Sequence, residues 1–204
     1  SSDVCSSDLN EQRAGIEAID ENNFKYEPVT TSTGIKLMSM NLMIPNEEEP
    51  VVWRGPVVTS VLTQLFTDTK WGKLDYLLID MPPGTSDITL TVMQDFPIKE
   101  LVLVSTPQDM VSMIVKKVVN MAGKMPIPIR GVIEYMAYIN CPGCDKKIRV
   151  FSEQSADDHA AYLGVPLLGE LPINPDLTEA LENGVADQYV LDNDLYSLIF
   201  EGLY

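Results

Sequence analysis

The apolar residues of this chain occur in two kinds of segment. Short, nearly continuous apolar runs are typical of strands buried on both faces, and apolar positions three or four apart are typical of amphipathic helices. The two kinds alternate, which predicts an α/β fold with a mostly parallel sheet and helices on both faces. The predicted strands are Ile35–Met40, Leu74–Asp80, Leu101–Ser105, Ile129–Tyr135 and Leu167–Leu171, and the predicted helices are Val57–Thr67, Asp87–Gln94, Gln108–Gly123, Glu153–Leu163 and Leu177–Glu182.

Two regions depart from this alternation. Residues 10–33 show no clear period, and we interpret them as an irregular lead-in to a single domain over residues 34–204. Residues 138–151 contain two cysteines and a basic run, and the segment after Cys144 is more typical of a β-ribbon than of a helix. We therefore expect a small insertion on the domain there.

The charge, the apolar runs and the cysteine count of the chain limit which partners and which cell compartment we expect. The 204 residues carry a net charge of −16, which repels phosphate backbones and anionic lipids, so we expect no nucleic-acid partner and no membrane anchor. No apolar run approaches the roughly 20 residues that cross a bilayer. Three cysteines are an odd and small number for a disulfide framework, so we expect a reducing cytoplasm.

The apolar run Tyr76–Asp80 ends in a carboxylate, and the loop Met81–Thr85 follows with two prolines and one glycine. In nucleotide-binding α/β proteins, an Asp at the carboxyl end of such a strand binds Mg²⁺. Gly84 would let a backbone N–H approach a phosphate closely. An Asp that only caps the next helix is an equally good interpretation.

Cys141 and Cys144 enclose Pro-Gly and form a CxxC motif, whose spacing lets both sulfurs bind one metal ion or one iron–sulfur cluster. A complete site normally needs four such ligands, and the chain has no second CxxC. Stoichiometry therefore favours two chains that share one site. One alternative is a redox-active pair, which we would expect at the start of a helix. The other is a surface turn without function, which is disfavoured because two exposed thiols are prone to oxidation.

Taken together, these motifs resemble the Mrp/ApbC family of iron–sulfur cluster carrier ATPases, a deviant P-loop group related to the MinD and ParA ATPases. The CxxC distinguishes this group from the partition ATPases. The resemblance covers residues 34–190 and rests on seven segments in family order: Ile35–Ser39, Trp53–Pro56, Leu74–Thr85, Ser105–Asp109, Gly131–Glu134, Cys141–Cys144 and Leu163–Pro172.

The resemblance implies a role for each motif. Asp80 would be the Walker B acid that binds Mg²⁺, and Gly84 and Thr85 would lie in the switch loop that faces the γ-phosphate. Cys141 and Cys144 would hold half of a 4Fe–4S cluster bridged across a homodimer. Such a protein binds and hydrolyses ATP and delivers the cluster to apo iron–sulfur proteins.

Two positions depart from the family pattern. Ser86 stands where the family has Gly. Tyr135 stands where the family has an Asn that reads the adenine edge, and a phenol does not offer the paired donor and acceptor of an amide. By position, Tyr135 is still the residue expected at the nucleotide base.

The glycine-rich phosphate loop of the family, resembling G-K-G-G-V-G-K-S/T, is absent from the 204 residues. Such a loop cradles phosphates with its backbone N–H groups, so we expect this chain to bind ATP weakly or not at all. In relatives the strand before that loop would lie between Leu74–Asp80 and Leu101–Ser105, so we also expect unpaired apolar strand edges.

The first nine residues, SSDVCSSDL, are an in-frame translation of AGT TCA GAC GTG TGC TCT TCC GAT CTN, a common sequencing adapter. We interpret residues 1–9 as an adapter-derived artefact, which removes Cys5 from any metal site. Sequencing the gene across its 5′ end tests this interpretation.

Three functions follow from these observations. The first is a cluster carrier whose ATPase activity is coupled to transfer, and it is the one we favour for the intact protein. The second is a dimeric module that binds zinc or a cluster without hydrolysis, which describes what this chain alone would retain. The third is a partition ATPase without metal, which the CxxC disfavours.

Overall fold

The computed structural model describes residues 13–20, 23–43, 55–144 and 146–200. The segment interpreted as adapter-derived, residues 1–9, lies outside the described residues. The chain divides into two compact units, one of residues 1–81 and 177–192 and the other of residues 82–176 and 193–204. Each unit is considered by itself.

Secondary structure follows the chain in this order. The strands are β1 (Gly15–Asp20), β2 (Asn23–Glu27), β3 (Val29–Thr30), β4 (Lys36–Leu37), β5 (Leu101–Ser105), β6 (Ile129–Glu134), β7 (Ile139–Asn140), β8 (Lys147–Ile148) and β9 (Leu167–Glu170). The helices are α1 (Gly55–Thr67), α2 (Asp87–Asp95), α3 (Asp109–Ala122), α4 (Ala156–Leu163), α5 (Pro175–Glu182), α6 (Ala186–Leu191) and α7 (Asp194–Phe200), with a 3₁₀ turn at Met40–Met43.

The second unit is built on a parallel sheet of three strands in the order β5-β6-β9. All three were predicted, with bounds correct to within one residue. The central strand β6 is hydrogen-bonded on both edges, and its last four residues are buried. Helices α3 and α4 cover one face of the sheet, where they enclose an apolar core of Leu103, Val115, Val132, Ala160 and Leu163.

The edge strand β5 is covered less completely. Leu103 faces the core, whereas Val102 and Val104 alternate with it and are exposed. Within the described part of the chain, the edge of β5 opposite β6 has no partner strand. This agrees with the expectation of an unpaired apolar edge.

Local capping decides where α4 begins and ends. Ser155 accepts from the Asp158 N–H and the Asp158 carboxylate accepts from the Ser155 N–H, a reciprocal capping box. This cap moves the helix start from the predicted Glu153 to Ala156. Gly164 closes the helix in the left-handed conformation, with φ of 73°.

The first unit contains most of the corrections to the sequence-based prediction. Interpreting residues 10–33 as an irregular lead-in is wrong, because β1 and β2 form an antiparallel hairpin there. The predicted strand Ile35–Met40 shortens to β4, which pairs with β3 before the 3₁₀ turn. Val29 and Leu42 form the small buried core of this region.

The largest correction concerns Leu74–Asp80, predicted as a buried strand. The segment has no regular secondary structure, and Leu78 is 90% exposed. Within the described residues no strand pairs with this run, so it is not part of a hydrogen-bonded sheet.

The predicted ribbon in residues 138–151 is present. Strands β7 and β8 pair antiparallel, with Ile139 opposite Ile148 and Asn140 opposite Lys147.

In the described part of the chain, no helix is long and apolar enough to cross a bilayer.

Candidate functional site

The turn between β7 and β8 brings Cys141 and Cys144 together. The Cys141 N–H donates to the Lys146 carbonyl at 3.0 Å, and the Cys144 N–H donates back to the Cys141 carbonyl at 3.3 Å. Both thiols are free; Cys141 is half-buried and Cys144 is exposed. Such a tight turn presents two sulfurs on one short loop, which suits a shared metal.

The environment of Cys141 favours its thiolate. A hydrogen bond from the Gly143 backbone N–H, followed by one from the Cys144 side chain, lowers the pKa of Cys141 below its ordinary value. The thiolate is the form of cysteine that binds metals. The turn therefore provides a ligand that loses its proton more readily than a free cysteine.

Two basic side chains connect the ribbon to the sheet. Lys147 donates to Glu170 at 3.2 Å, and its Nζ lies 4.0 Å from the centre of the Tyr138 ring. Arg149 donates to Glu134 at 3.3 Å through one nitrogen and to Glu170 through the other. Both carboxylates lie at the carboxyl ends of their strands.

These contacts lower the pKa of Glu170. Burial by itself would raise the pKa of Glu170, but the hydrogen bonds and positive charges of Arg149 and Lys147 outweigh it. The pKa of Glu170 is therefore lower than its ordinary value, and its carboxylate stays ionised next to the ribbon.

Glu134 begins a buried chain of hydrogen bonds that sequence reasoning missed. Its Oε2 lies 2.7 Å from His159 Nδ1, and His159 Nε2 lies 2.8 Å from Ser112 Oγ. Ser112 Oγ also lies 3.0 Å from the Gln108 carbonyl. The three side chains come from β6, α4 and α3, and no sequence spacing signals their meeting.

The order Ser, His, Glu resembles a hydrolase triad, but its surroundings do not. All three residues are buried, and the adjoining cavity is about 10 Å³, room for about one water molecule. Ser112 Oγ is engaged with the carbonyl of its own helix. The chain of contacts satisfies buried polar groups, and there is no space for a substrate at Ser112.

Among the predicted nucleotide-binding residues, Gly84 and Thr85 lie on the loop before α2. Gly84 has a φ of 82°, in the left-handed region that favours glycine. Its carbonyl accepts from Thr89 Oγ1 at 3.3 Å. Ser86, the departure from the family pattern, is the N-cap of α2 and accepts from the Thr89 N–H.

Tyr135 follows β6 directly and donates its backbone N–H to the Ser105 carbonyl at 2.8 Å. Its side chain is exposed at the carboxyl end of the sheet. No hydrogen bond joins Tyr135 to the loop of Gly84 and Thr85 within the described residues. In the first unit, Asp80 is exposed at the end of its irregular segment.

Comparison with protein families gives a match over nearly the whole chain. Residues 4–199 match the ParA family described as NUBPL iron-transfer P-loop NTPase. An iron-sulfur cluster carrier protein of Clostridium perfringens is 68% identical over 96% of the chain, which spans 69% of that protein. The iron-sulfur cluster transfer protein NUBPL of Dictyostelium discoideum is 43% identical over 74% of the chain, and the match spans 46% of that protein.

Solved structures give a parallel result. A nucleotide-binding protein from Archaeoglobus fulgidus, in complex with ADP, superposes with a TM-score of 0.71 at 32% identity, covering 91% of this chain and 71% of that one. The cell division ATPase MinD of Pyrococcus furiosus superposes with a TM-score of 0.51 at 21% identity over 76% of this chain and 62% of that one, a likeness of fold.

Proposed function

Because the chain belongs to the NUBPL iron-transfer family of ParA-type P-loop NTPases, we propose that it carries an iron–sulfur cluster and delivers it to apo-proteins. The single observation that carries this proposal is the turn at Cys141 and Cys144. It holds two free thiols, and the pKa of Cys141 is lowered by the Gly143 N–H and the Cys144 side chain. The cluster is the cargo of these two residues.

Membership of the family and the fold class were both predicted from the sequence, and both are confirmed. The parallel sheet with its covering helices belongs to the MinD/ParA-like P-loop NTPase fold. The chain spans 69% of one curated relative and 61% of another, from Pyrococcus horikoshii. The activity of the whole protein is therefore part of the proposal.

The proposed cargo is a 4Fe–4S cluster shared between two chains. Within the described residues, no group of three or more His, Cys, Asp and Glu side chains could hold a metal. A cluster of this type takes four thiolates, and one turn supplies two. Two turns from a homodimer would complete the set, with half a cluster for each chain.

Nucleotide hydrolysis is proposed for the whole protein. Asp80 would bind Mg²⁺, Gly84 and Thr85 would face the γ-phosphate, and Tyr135 would lie at the base. The 204 residues contain no glycine-rich phosphate loop, so this chain alone should bind ATP weakly. Calorimetric titration with Mg²⁺ and ATP tests this, and micromolar affinity would contradict it.

A second function rests on the same turn. Two thiolates from each of two chains also form a tetrahedral zinc site. The protein would then be a dimeric metal-binding module without hydrolysis. Zinc and a cluster differ in colour, because only the cluster absorbs visible light through sulfur-to-iron charge transfer.

Anaerobic reconstitution with iron and sulfide separates these functions. We expect the wild-type chain to develop the visible absorption of a cluster, with half a cluster per chain, and to elute as a dimer. Cys141→Ser and Cys144→Ser should lose both the colour and the dimer. Cys5→Ser is the matched control, since it removes the third cysteine of the chain, and should retain both.

Two outcomes would contradict the carrier proposal. Colourless protein that retains zinc after reconstitution would favour the metal-binding module. Loss of the cluster in Cys5→Ser but not in Cys141→Ser would show that the turn is not the binding site.

A further inference from the structure

The ribbon that carries Cys141 and Cys144 is too small to hold its own position. Strands β7 and β8 have two residues each, and all four of these residues are exposed. An isolated two-stranded hairpin is marginally stable in water. Contacts outside the ribbon must therefore orient the turn.

The strongest of these contacts converge on two carboxylates. Glu134 and Glu170 are register partners at the carboxyl ends of β6 and β9. Adjacent like charges on paired strands destabilise a sheet unless a cation lies between them. Arg149 supplies that cation with one guanidinium nitrogen on each carboxylate, and Lys147 adds a second cation on Glu170.

Glu134 gives this arrangement a rigid base. It is 1% exposed, and its second oxygen is engaged by His159, which in turn contacts Ser112. Glu134 is therefore held by its own strand β6 and by His159 of α4, and Ser112 of α3 holds the other side of the His159 ring. A guanidinium bonded to such a carboxylate has little freedom to move.

We propose that Arg149, Glu134 and Glu170 form a clasp that positions the cysteine ribbon against the carboxyl end of the sheet. Arg149 and Glu134 are then positioning residues for the cysteine pair, which they do not touch. The clasp fixes where the two thiolates are presented to a second chain. The effect of the clasp on metal binding rests on the proposed function, but the clasp itself is tested without metal.

The test compares three variants of the whole chain. Arg149→Met removes the charge at similar length, and Arg149→Lys keeps the charge but cannot bond both carboxylates with a planar guanidinium. Glu170→Gln removes the charge of the carboxylate that Arg149 and Lys147 share, whose side chain is 18% exposed. Arg130→Met is the matched control, because Arg130 pairs with Glu100 at 3.7 Å from the opposite end of β6.

Hydrogen–deuterium exchange of residues 139–150 is the first readout. We expect about ten-fold faster exchange of the ribbon amides in Arg149→Met and Glu170→Gln, partial recovery in Arg149→Lys, and unchanged exchange of α3. Arg130→Met should match the wild type. Unchanged ribbon exchange in both Arg149→Met and Glu170→Gln would overturn the clasp.

Titration with Co²⁺ is the second readout, because cobalt bound to thiolates absorbs in the near ultraviolet. Arg149→Met should need several-fold more Co²⁺ for half-saturation than the wild type or Arg130→Met. No cobalt–thiolate absorption in the wild type would count against the proposed function alone, with the exchange result still deciding the clasp. Normal cobalt binding by a ribbon that exchanges freely would overturn the positioning role.

Discussion

Two segments of similar apolar character adopt different structures in this molecule. Leu74–Asp80 and Ile129–Tyr135 are both predicted from the sequence as buried strands. The second becomes β6, with strands on both edges and its last four residues buried. The first is irregular and exposes most of its side chains to solvent.

The difference teaches that an apolar run becomes a strand only where backbone partners exist. β6 exchanges hydrogen bonds with β5 and β9, which satisfy its N–H and C=O groups while side chains enter the core. Leu74–Asp80 pairs with no strand in the described part of the chain, so it lacks the ladder that orders β6. Four pairs of substitutions test this comparison.

Truncation of one apolar side chain in each run should have the largest effect. Ile133 is buried in β6, and Ile133→Ala should reduce the free energy of unfolding by about 3–4 kcal/mol through lost burial and a residual cavity. Leu78→Ala should change it by less than about 0.5 kcal/mol, because Leu78 is already in water. Urea unfolding measures both. Equal costs would show that Leu74–Asp80 packs in solution.

Addition of one methyl group tests how closely β9 approaches β6. A Cβ at Gly131 would lie 2.6 Å from the Pro166 carbonyl oxygen and 2.7 Å from Leu168 Cγ. Gly131→Ala should therefore cost about 3 kcal/mol, since a backbone carbonyl must move. Gly143→Ala is the control, with nothing within 4 Å of its Cβ. Thermal and urea unfolding measure both variants. If Gly131→Ala is as stable as the wild type, β9 does not approach β6 this closely.

An isosteric polar change compares the two faces of the sheet. Val132 is fully buried, and Val132→Thr should cost about 2 kcal/mol, because its hydroxyl leaves water. Val104 is 61% exposed on β5, and Val104→Thr should stay within about 0.5 kcal/mol of the wild type. A large loss in Val104→Thr, measured by urea unfolding, would mean that the Val104 side chain is covered in solution.

Replacing one acid in each of two predicted strands, Leu167–Leu171 and Leu74–Asp80, should have the smallest effect. The pKa of Glu170 is lowered in the folded chain, where contacts from Arg149 and Lys147 outweigh the effect of burial. Its contribution to stability is therefore full above the ordinary glutamate pKa of about 4.3 and is lost as the pH falls through the lower folded-state pKa. In Glu170→Gln, the free energy of unfolding should therefore fall less steeply as the pH is lowered. Urea unfolding at successive pH values measures this slope.

Asp80→Asn is the control for this titration. Asp80 forms no ion pair within the described residues, so Asp80→Asn removes one negative charge, as Glu170→Gln does, without breaking a salt bridge. If Glu170→Gln keeps the full wild-type slope, the ion pairs with Arg149 and Lys147 do not contribute in solution.

The elements that could be predicted from sequence are those whose signal is local. The CxxC and the polar run after it predicted a ribbon, and β7 and β8 form one. The three strands of the parallel sheet were found from continuous apolar runs. The hairpin of β1 and β2 was missed, although Asn23–Glu27 alternates polar and apolar residues and Glu21-Asn22 offers turn residues.

The candidate site divides in the same way. Cys141 and Cys144 could be named from their spacing, because a tight turn of that length brings two sulfurs together. The contacts that hold the turn in place could not, since Arg149, Glu134 and Glu170 come from separate elements. His159 appeared in the sequence as an isolated histidine on a helix, with no signal that it meets Glu134.

By itself, the sequence determined the family, through seven short motifs in a fixed order along the chain. It also determined the parallel strands and the pair of thiols, because each of these depends on residues close together in the chain. The tertiary structure alone decided that Leu74–Asp80 stays exposed and that Glu134 and Glu170 share one arginine. Strand formation requires a neighbouring strand on at least one edge, and an ion-pair clasp requires register between strands. Both are properties of chain segments that meet only in the folded protein.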